Sequence, residues 1–548
     1  MALDALRLTF VLEAERRGLL PLDSPDYAAV ALSRHGTTRL PALQSWLMTG
    51  APSFRGTLLD PSLGGPFAPL SLETLDATLQ ATRRWDLNAV GTMHEGMLAA
   101  RSVRKQQGSF FTPEAIAARL TSTILDGQPA PRLLDPAMGC GAFLVAALRH
   151  LTPGAPPAVR ARVALDCLHG RDQDPVAVGL AVLGLWLEIG EPALEPTALM
   201  RRLQVGDGLS AWPEGLDAVV GNPPFLNVER LEAARRAELR ARFPGLRGRF
   251  DLYVCFVEHA LDRLPEGGRL GLVLPKAFLS EEYAEPTRRR LLSQTSLLEL
   301  RDNPAFCSVP TVSLSARKEA PAPDHVVSLQ AAQHHEVPQA LWTRAPGTLL
   351  RTDRSARDLE EALRLLAEGL PLGRVAIATW GVRGVPISRF HLDHPEGPDD
   401  RPLLKGDCLR DGVLGWRGKY LRYRPRELYR PLFPELFERP KIVVAKVTGA
   451  RGLEAAIDRA GYYTDDSLIC LQPKYQLADL DPAIARRHRL ELDPADVELS
   501  RSFPLEALLS CLQAPETRRV FDTLLGSGLN VYPAALKRLP VQGPRDRS

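Results

Sequence analysis

The segment DAVVGNPPF at residues 217–225 brings together groups that suit chemistry on an amine. An aryl amine is a poor nucleophile because its lone pair is delocalised into the ring. Two acceptors that hold both N–H groups pull the nitrogen toward a tetrahedral shape, and the side-chain oxygen of Asn222 and the backbone carbonyl of Pro223 can supply them. Pro223 and Pro224 would fix the backbone direction. A plain Asn-Pro turn after a strand is the alternative interpretation.

Phe225 ends this motif and offers an aromatic face for a base. A target base must first leave the duplex, because its reacting atom is otherwise occupied in pairing. An amine held in line with an activated methyl group can attack directly, so positioning would provide most of the acceleration. The segment therefore predicts methyl transfer to an amine, with Asn222, Pro223, Pro224 and Phe225 as candidate catalytic residues.

A glycine-rich turn follows an apolar run upstream of this motif. In PRLLDPAMGCGAF the predicted strand ends at Asp135, and the chain turns through Gly139 and Gly141 into a helix. Glycine lacks the Cβ that would keep a ligand away from the backbone. Such a turn alone equally fits NAD, a flavin or a merely tight connection. The acidic residue in the turn would repel a pyrophosphate and suits a cofactor with an ammonium group and no phosphate.

Two further carboxylates follow later predicted strands. Asp172 in LHGRDQDP can accept hydrogen bonds from both hydroxyls of a ribose, and Asp207 in LQVGDGLS can accept one from the amino group of the cofactor's adenine. Together with Asp135, these residues point to S-adenosyl-L-methionine as the cofactor. We expect no metal, because phosphoryl transfer is not involved and no cluster of metal ligands is visible.

The elements that would position these residues divide the chain into four parts. Residues 1–100 have helical periodicity, and residues 101–320 alternate short apolar strands with helices, which predicts an α/β domain with a mainly parallel sheet. Residues 321–369 read as a linker followed by a helix ending at Gly369. Residues 370–548 have short strand-like pieces (KIVVAKV and DSLICLQ), many prolines and arginines, and a helical tail from Pro504 to Leu525, which indicates a separate α+β domain.

In their order along the chain, these motifs resemble the TaqI-like, gamma-class adenine-N6 DNA methyltransferases of restriction-modification systems. The resemblance spans roughly residues 90–320 and includes GSFFTP at 108–113, DPAMGCGAF at 135–143, NPPF at 222–225, FDLYVCFVEHAL at 250–261 and GGRLGLVLPKAFL at 267–279. It implies a Rossmann-like S-adenosylmethionine-dependent core with a mixed, mainly parallel seven-stranded sheet. The residues expected to bind the cofactor are Phe111, Thr112, Pro113, Asp135, Ala137, Gly139, Gly141, Asp172 and Asp207. Cys140 stands where the family commonly has serine, and the position is small in either case.

A basic, aromatic-rich segment lies in the C-terminal part, WRGKYLRYRPRELYRPLFPELFERPK at residues 416–441. Cations fit the phosphate backbone of DNA, and interleaved aromatic side chains can stack on bases or brace arginines. A solvated basic face is the alternative interpretation. Residues 370–548 loosely resemble the family's target-recognition domain, so the candidate DNA-binding residues are Arg417, Lys419, Arg422, Arg424 and Arg426.

We therefore predict a site-specific methyltransferase that acts on N6 of adenine in double-stranded DNA by base flipping. Amino-methyl transfer to protein glutamine or RNA guanine is one alternative, although such enzymes are usually compact and lack an added basic region. A noncatalytic DNA-binding subunit of a defence complex is another, and the intact NPPF motif argues against it. The N-terminal helices resemble the connector of fused restriction-methylation proteins, but no D…ExK constellation precedes the core. A separately encoded restriction endonuclease or specificity partner could then accompany the chain.

Composition limits the setting. The 548-residue chain is 45% hydrophobic and 24% charged, with a net charge of +3, which is weak support for nucleic-acid binding by itself. No apolar stretch approaches the length of a membrane span, and charges at residues 13–17 interrupt any secretory segment. Seven scattered cysteines indicate neither a disulfide framework nor a zinc site. We expect a cytoplasmic protein without membrane contact.

Overall fold

The computed structural model describes residues 10, 13–14, 17–19, 110–246, 248–384, 386–447, 453–525 and 531–542. The predicted helical region 1–100 lies almost entirely outside the described residues. The chain divides into two compact units, Met1–Ala340 and Leu341–Ser548. Among the described residues, none of the helices has the length and apolar character needed to cross a bilayer.

The first unit is built on one mixed sheet, and its described strands are β1 Leu133–Asp135, β2 Leu168–Asp172, β3 Leu203–Val205, β4 Ala218–Gly221, β5 Arg269–Pro275, β6 Thr295–Asp302, β7 Thr311–Lys318, β8 Val326–Gln330 and β9 His334–Pro338. Their order in the sheet is β3-β2-β1-β4-β5-β7-β6-β8-β9. The first five are parallel to one another, and β7 runs antiparallel between β5 and β6. The α/β class and the mainly parallel character predicted for this part of the chain are confirmed.

Helices cover this sheet, and the described ones are α1 Glu114–Leu125, α2 Ala142–Leu151, α3 Pro157–Cys167, α4 Pro175–Ile189, α5 Pro196–Leu199, α6 Ala233–Arg242, α7 Leu252–Arg263 and α8 Glu285–Gln294, with 3₁₀ turns at Val228–Arg230, Lys276–Leu279 and Glu282–Ala284. Helix α4 begins where the side chain of Asp174 accepts a hydrogen bond from the Val176 amide and Pro175 sets the first turn. It ends at Gly190 in the left-handed conformation. Its faces are almost wholly buried, which fixes it against the strands and α2.

The sheet has nine described strands rather than the seven expected. The first seven in sheet order, from β3 to β6, match the expected number, and β8 and β9 extend the edge beyond β6. These two strands come from residues 326–338, which we predicted to be part of a linker, so that prediction is wrong for this stretch. Val327, Leu329 and Val337 are buried while their neighbours are not. This alternation is the two-residue period of a β-strand. The prolines and histidines of the segment made it hard to recognise in the sequence.

The second unit contains several small sheets. Its described strands are β10 Leu370–Pro371, β11 Ala376–Trp380, β12 His391–Leu392, β13 Asp400–Leu404, β14 Leu409–Arg410, β15 Val413–Leu414, β16 Tyr420–Arg422, β17 Lys441–Ala445, β18 Ala455–Asp458, β19 Tyr463–Thr464, β20 Leu468–Pro473 and β21 Pro540–Val541. They pair as β11-β20-β17-β18, β12-β16-β13-β19, β10-β21 and β14-β15. The expected strands in KIVVAKV and DSLICLQ are β17 and β20, the two inner strands of the first of these sheets.

Most helices of the second unit lie in its N-terminal and C-terminal parts. The described ones are α9 Ala340–Arg344 at the unit boundary, α10 Ala356–Glu368, α11 Leu372–Val375, α12 Glu435–Glu438, α13 Pro482–Arg487, α14 Pro494–Ser500, α15 Leu505–Gln513, α16 Pro515–Val520, a π-helical turn Phe521–Leu525 and α17 Pro533–Arg538, with 3₁₀ turns at Pro346–Thr348, Ile387–Phe390, Gly406–Cys408 and Lys474–Leu477. Helix α10 begins at Ser355 with a capping box completed by Asp358 and ends before Gly369, where its end was predicted. The predicted helical tail 504–525 is interrupted between Gln513 and Pro515.

Candidate active site

The carboxyl ends of β1, β2 and β4 meet at one edge of the first sheet. Asp135 is the last residue of β1 and Asp172 the last of β2, while Asn222 follows the last residue of β4. A cavity of about 470 Å³ opens at this edge. Neighbouring parallel strands place their carboxyl ends side by side, so residues far apart in sequence border one space.

The carboxamide of Asn222 is oriented by two hydrogen bonds on its nitrogen side. Nδ2 donates to the carbonyl oxygen of Phe110 and to Oγ1 of Thr112, each at 3.1 Å. Oδ1 is buried and has no hydrogen-bond partner in the described structure. A buried acceptor without a partner costs about 1–3 kcal/mol, so its presence on the cavity wall indicates a missing donor from a ligand.

The two prolines after Asn222 differ in their surroundings. Pro223 is buried, whereas Pro224 is half-buried and borders the cavity. The Pro224 carbonyl already accepts a hydrogen bond from the Leu226 amide at 3.1 Å. Pro224 therefore helps to shape the turn, and the Pro223 carbonyl remains the candidate for a second acceptor.

Phe225 lies in a small group of aromatic rings. Its ring centroid is 5.7 Å from that of Phe110 and 6.2 Å from that of Tyr253, which it meets edge to face. The Tyr253 hydroxyl shares a 2.5 Å hydrogen bond with that of Tyr283, which donates to Oδ2 of Asp251 at 2.9 Å. Burial holds the pKa of Tyr253 well above its usual range, so the hydroxyl stays protonated. The contact with Tyr253, which is itself held by Tyr283, helps to fix the position of the Phe225 ring.

Asp135 is fully buried and does not itself border the cavity. Its Oδ1 accepts a hydrogen bond from the Ala137 amide at 3.0 Å, and Oδ2 has no partner in the described structure. Burial raises the pKa of this carboxyl well above its usual value, and the charge of Asp172 raises it further, while the Ala137 amide opposes both. A direct contact between Asp135 and a cofactor's ammonium group would need a change in this packing.

Asp172 is tied to the glycine-rich turn. Its Oδ2 accepts a hydrogen bond from the Gly139 amide at 2.9 Å, and its Oδ1 accepts one from the Asp174 amide at 2.9 Å. Gly139 and Gly141 have φ values of +52° and +87°, which glycine adopts without strain. A Cβ on Gly141 would also lie 3.1 Å from the Cβ of Ala181 in α4. The turn thus needs glycine for its backbone conformation and for helix packing.

Asp207 borders the cavity but has a partner that sequence analysis missed. Its Oδ1 accepts a hydrogen bond from the Leu209 amide at 2.9 Å, and its Oδ2 forms an ion pair with Arg235 of α6. Arg235 also borders the cavity. An adenine amino group that reached Asp207 would therefore meet Arg235 there.

The structure brings together most of the predicted cofactor residues. Those on the cavity wall are Phe111, Thr112, Ala137, Gly139, Asp172 and Asp207, together with Asn222 and Pro224 of the catalytic motif. Pro113, Asp135, Gly141, Pro223 and Phe225 are not among the wall residues. Sequence analysis missed Asp174, Glu232, Arg235 and Phe256 on the wall. Asp174 lies two residues after Asp172, so its position after a strand could have identified it. The other three residues lie on or beside helices and do not follow a strand.

The predicted DNA-binding cations of the second unit have partners of their own. Arg417 pairs with Asp407, Lys419 with Asp393, Arg422 with Glu396 and Asp400, and Arg424 with Asp399 and Glu427. Arg426 is exposed and has no ion-pair partner within the described part of this unit. Four of the five side chains are thus partly neutralised in the free protein.

The residues of the cavity fit S-adenosylmethionine. Asp172 and Asp207 present carboxylates, and Phe111, Phe143 and Phe256 present apolar surface. The unpartnered Oδ1 of Asn222 lies at the same cavity, where an amine beside the cofactor would supply a donor. Within the described residues, no group of three or more His, Cys, Asp or Glu side chains is arranged to hold a metal ion.

Comparison with known proteins places this site in a family context. Residues 86–300 match the family model described as N-6 DNA Methylase. The type II methyltransferase M.XhoI of Xanthomonas vasicola is 32% identical over 343 residues, which cover 53% of this chain and 60% of that protein. The type II methyltransferase M.PaeR7I of Pseudomonas aeruginosa is 28% identical over 372 residues, covering 59% and 63%. The chain therefore matches about three-fifths of the length of these relatives.

Solved structures with this fold include two that were determined with DNA. The type IIL restriction-modification enzyme MmeI superposes with a TM-score of 0.56 and 11% identity, covering 98% of this chain and 94% of that one. The DrdV–DNA complex gives a TM-score of 0.54 and 12% identity, covering 97% and 70%. At such low identity these likenesses support the fold alone.

Proposed function

Because residues 86–300 match the family model described as N-6 DNA Methylase, we propose that this chain transfers a methyl group from S-adenosylmethionine to N6 of adenine at a specific site in double-stranded DNA. The single observation that carries this proposal is the buried, unpartnered Oδ1 of Asn222 on the cavity wall. The names of the type II relatives support a role in restriction-modification.

Asn222 would act as an acceptor for the amine of the target base. Its nitrogen side is already occupied by Phe110 and Thr112, so Oδ1 is the atom of the carboxamide that is left to accept a hydrogen bond from the amine. The Pro223 carbonyl would hold the second N–H. Because two hydrogen bonds already hold the Asn222 carboxamide and the prolines restrict the backbone, the two acceptors would need little reorganisation when the base arrives.

Phe225 would provide a face for the extruded adenine. Tyr253 meets the Phe225 ring edge to face and is itself fixed by Tyr283, so the ring is held in one orientation. Stacking of a base on such a ring contributes about 1–3 kcal/mol. This contact would offset part of the cost of removing the base from the duplex.

Asp172 and Asp207 would bind the ribose hydroxyls and the adenine of the cofactor, whose sulfonium supplies an electrophilic methyl group when bound. The Gly139 amide would keep the Asp172 carboxylate in place. Arg235 would have to share or release Asp207 during binding. The apolar wall formed by Phe111 and Phe256 would exclude water from the reacting amine.

Product analysis tests this proposal. Purified protein is incubated with plasmid DNA and S-adenosylmethionine carrying a labelled methyl group, and the DNA is then digested to nucleosides. We expect the label in N6-methyldeoxyadenosine with the unaltered chain and almost none with Asn222→Ala. Label in a methylated cytosine, in protein or in RNA only, or equal labelling by the variant, would contradict the proposal.

A further inference from the structure

A second cavity of the first unit lies apart from the candidate active site. It has a volume of about 250 Å³ and is bordered by residues of β1, β2 and β3 and by the segment 211–213. No helix occurs between β3 and β4 in the described structure, and the connecting residues 206–217 form turns and irregular chain. Unlike the faces that carry helices, this part of the sheet is left accessible.

The wall of this cavity carries several positive charges and no negative ones. Arg171, Arg201 and Arg202 all border it, whereas no Asp or Glu does. None of the three arginines has an ion-pair partner among the described residues, although Arg171 donates a hydrogen bond to Oγ of Ser210. Three guanidinium groups around one small space repel one another, so the arrangement favours a bound anion.

The neighbouring His169 lies in the positive field of these arginines. His169 is buried at the cavity wall, and Arg202 Nη1 lies 3.5 Å from its Nε2. Burial, followed by the charges of Arg202, Arg132 and Arg171, lowers the pKa of His169 to about 4. The imidazole therefore stays neutral at physiological pH and can accept a hydrogen bond from Arg202.

We propose that the cavity formed by Arg171, Arg201 and Arg202 binds a phosphate group of a ligand. Arginine forks present paired N–H donors that match phosphate oxygens, and a phosphate offers more acceptor oxygens to three guanidinium groups than a carboxylate does. Gln204 adds a neutral polar side chain to the wall. The phosphate can come from the DNA backbone or from a free nucleotide. The proposal does not depend on methyl transfer.

The test compares two ligands on the full chain. Fluorescence anisotropy measures binding of a short labelled DNA duplex, and calorimetry measures binding of ATP. The variant Arg201→Gln/Arg202→Gln removes two of the three charges. Arg162→Gln is the matched control, because Arg162 is an exposed arginine of α3 in the same unit and outside the cavity wall. Thermal melting of each variant checks that the fold is retained.

If the ligand is a phosphate of DNA, the double variant should bind the duplex about tenfold or more weakly and with a shallower salt dependence, whereas the control should bind it like the unaltered chain. If the ligand is a free nucleotide, ATP should bind the unaltered chain and the double variant should lose this binding. The affinity for the duplex should then be the same for both proteins. Unchanged binding of both ligands would overturn the proposal. If the double variant does not fold, Arg201→Gln alone replaces it, since Arg201 is exposed.

Discussion

The two units of this chain differ in where their buried polar groups lie relative to a cavity. In the first unit, Oδ1 of Asn222 and Oδ2 of Asp135 are buried acceptors without partners beside the same sheet edge. In the second unit, Lys441 and Asp458 form a fully buried ion pair at 2.5 Å, and Lys474 pairs with Asp496 at 2.8 Å. The second unit also holds buried acceptors without partners, Oε2 of Glu435 and Oε1 of Gln472, but neither residue borders the two cavities described above. We therefore interpret only the unmet acceptor of Asn222, a cavity-wall residue, as part of a ligand site, and the closed ion pairs as structural.

The same contrast separates the two sets of arginines. Arg171, Arg201 and Arg202 of the first unit share a cavity with no carboxylate on its wall. Of the cations predicted to bind DNA in the second unit, all but Arg426 have carboxylate partners. Clustering of basic residues in sequence is therefore a poor guide to unpaired positive charge. In the folded unit, acidic residues at 393–400 form ion pairs with several of these cations.

Removal of Lys441 should give the largest effect on stability. Lys441→Ala leaves Asp458 buried without its cation, and breaking such a pair costs about 3–5 kcal/mol. Lys419→Ala is the control, since its pair with Asp393 is exposed to solvent and contributes little. Chemical denaturation of both variants measures the difference. Equal stability of the two would remove the distinction between closed and surface pairs in this unit.

Replacement of Asp135 should have a smaller effect whose sign depends on pH. Because burial raises its pKa in the folded protein above the ordinary value of 3.8, the folded state holds a proton that the unfolded state releases. The contribution of Asp135 to stability is therefore greatest at acidic pH and declines as pH rises through its folded pKa.

Asp135→Asn removes this titration and keeps an oxygen for the Ala137 amide. We expect the variant to gain stability relative to the unaltered chain as pH rises from about 4 toward neutral. Denaturation over this pH range measures the trend. A constant difference between the two proteins at all pH values would show that Asp135 does not titrate as its burial implies.

Arg426 should contribute the smallest of these effects, and on DNA binding only. Arg426→Ala removes an exposed cation without an ion-pair partner in the described part of the second unit, so the salt dependence of duplex binding should fall by about 0.9 in slope, as for one phosphate contact. Arg424→Ala is the control, because its charge is shared with Asp399 and Glu427. A larger loss with Arg424→Ala than with Arg426→Ala would contradict this ranking.

Sequence patterns predicted the strands that border the candidate site because the residues singled out in sequence lie at strand ends. The apolar runs before Asp135, Asp172 and Asn222 are β1, β2 and β4, and parallel strands must end at one edge. The patterns did not predict Arg235, because a residue on an amphipathic helix such as α6 carries no local sign of what it faces. They also missed β8 and β9, whose polar, proline-containing sequence resembles a linker until the alternation of Val327 and Leu329 is seen in the sheet.

The most direct test of the account measures the chemical step and cofactor binding separately. Single-turnover methyl transfer to duplex DNA and the Kd for S-adenosylmethionine are compared for Asn222→Ala and for Asn227→Ala, whose side chain accepts from the Glu229 amide and does not border the cavity. We predict that Asn222→Ala slows transfer about a hundred- to a thousandfold with a nearly unchanged Kd, while Asn227→Ala stays close to the unaltered chain. Equal transfer rates for the two variants would contradict the claim that the unpartnered oxygen of Asn222 holds the reacting amine.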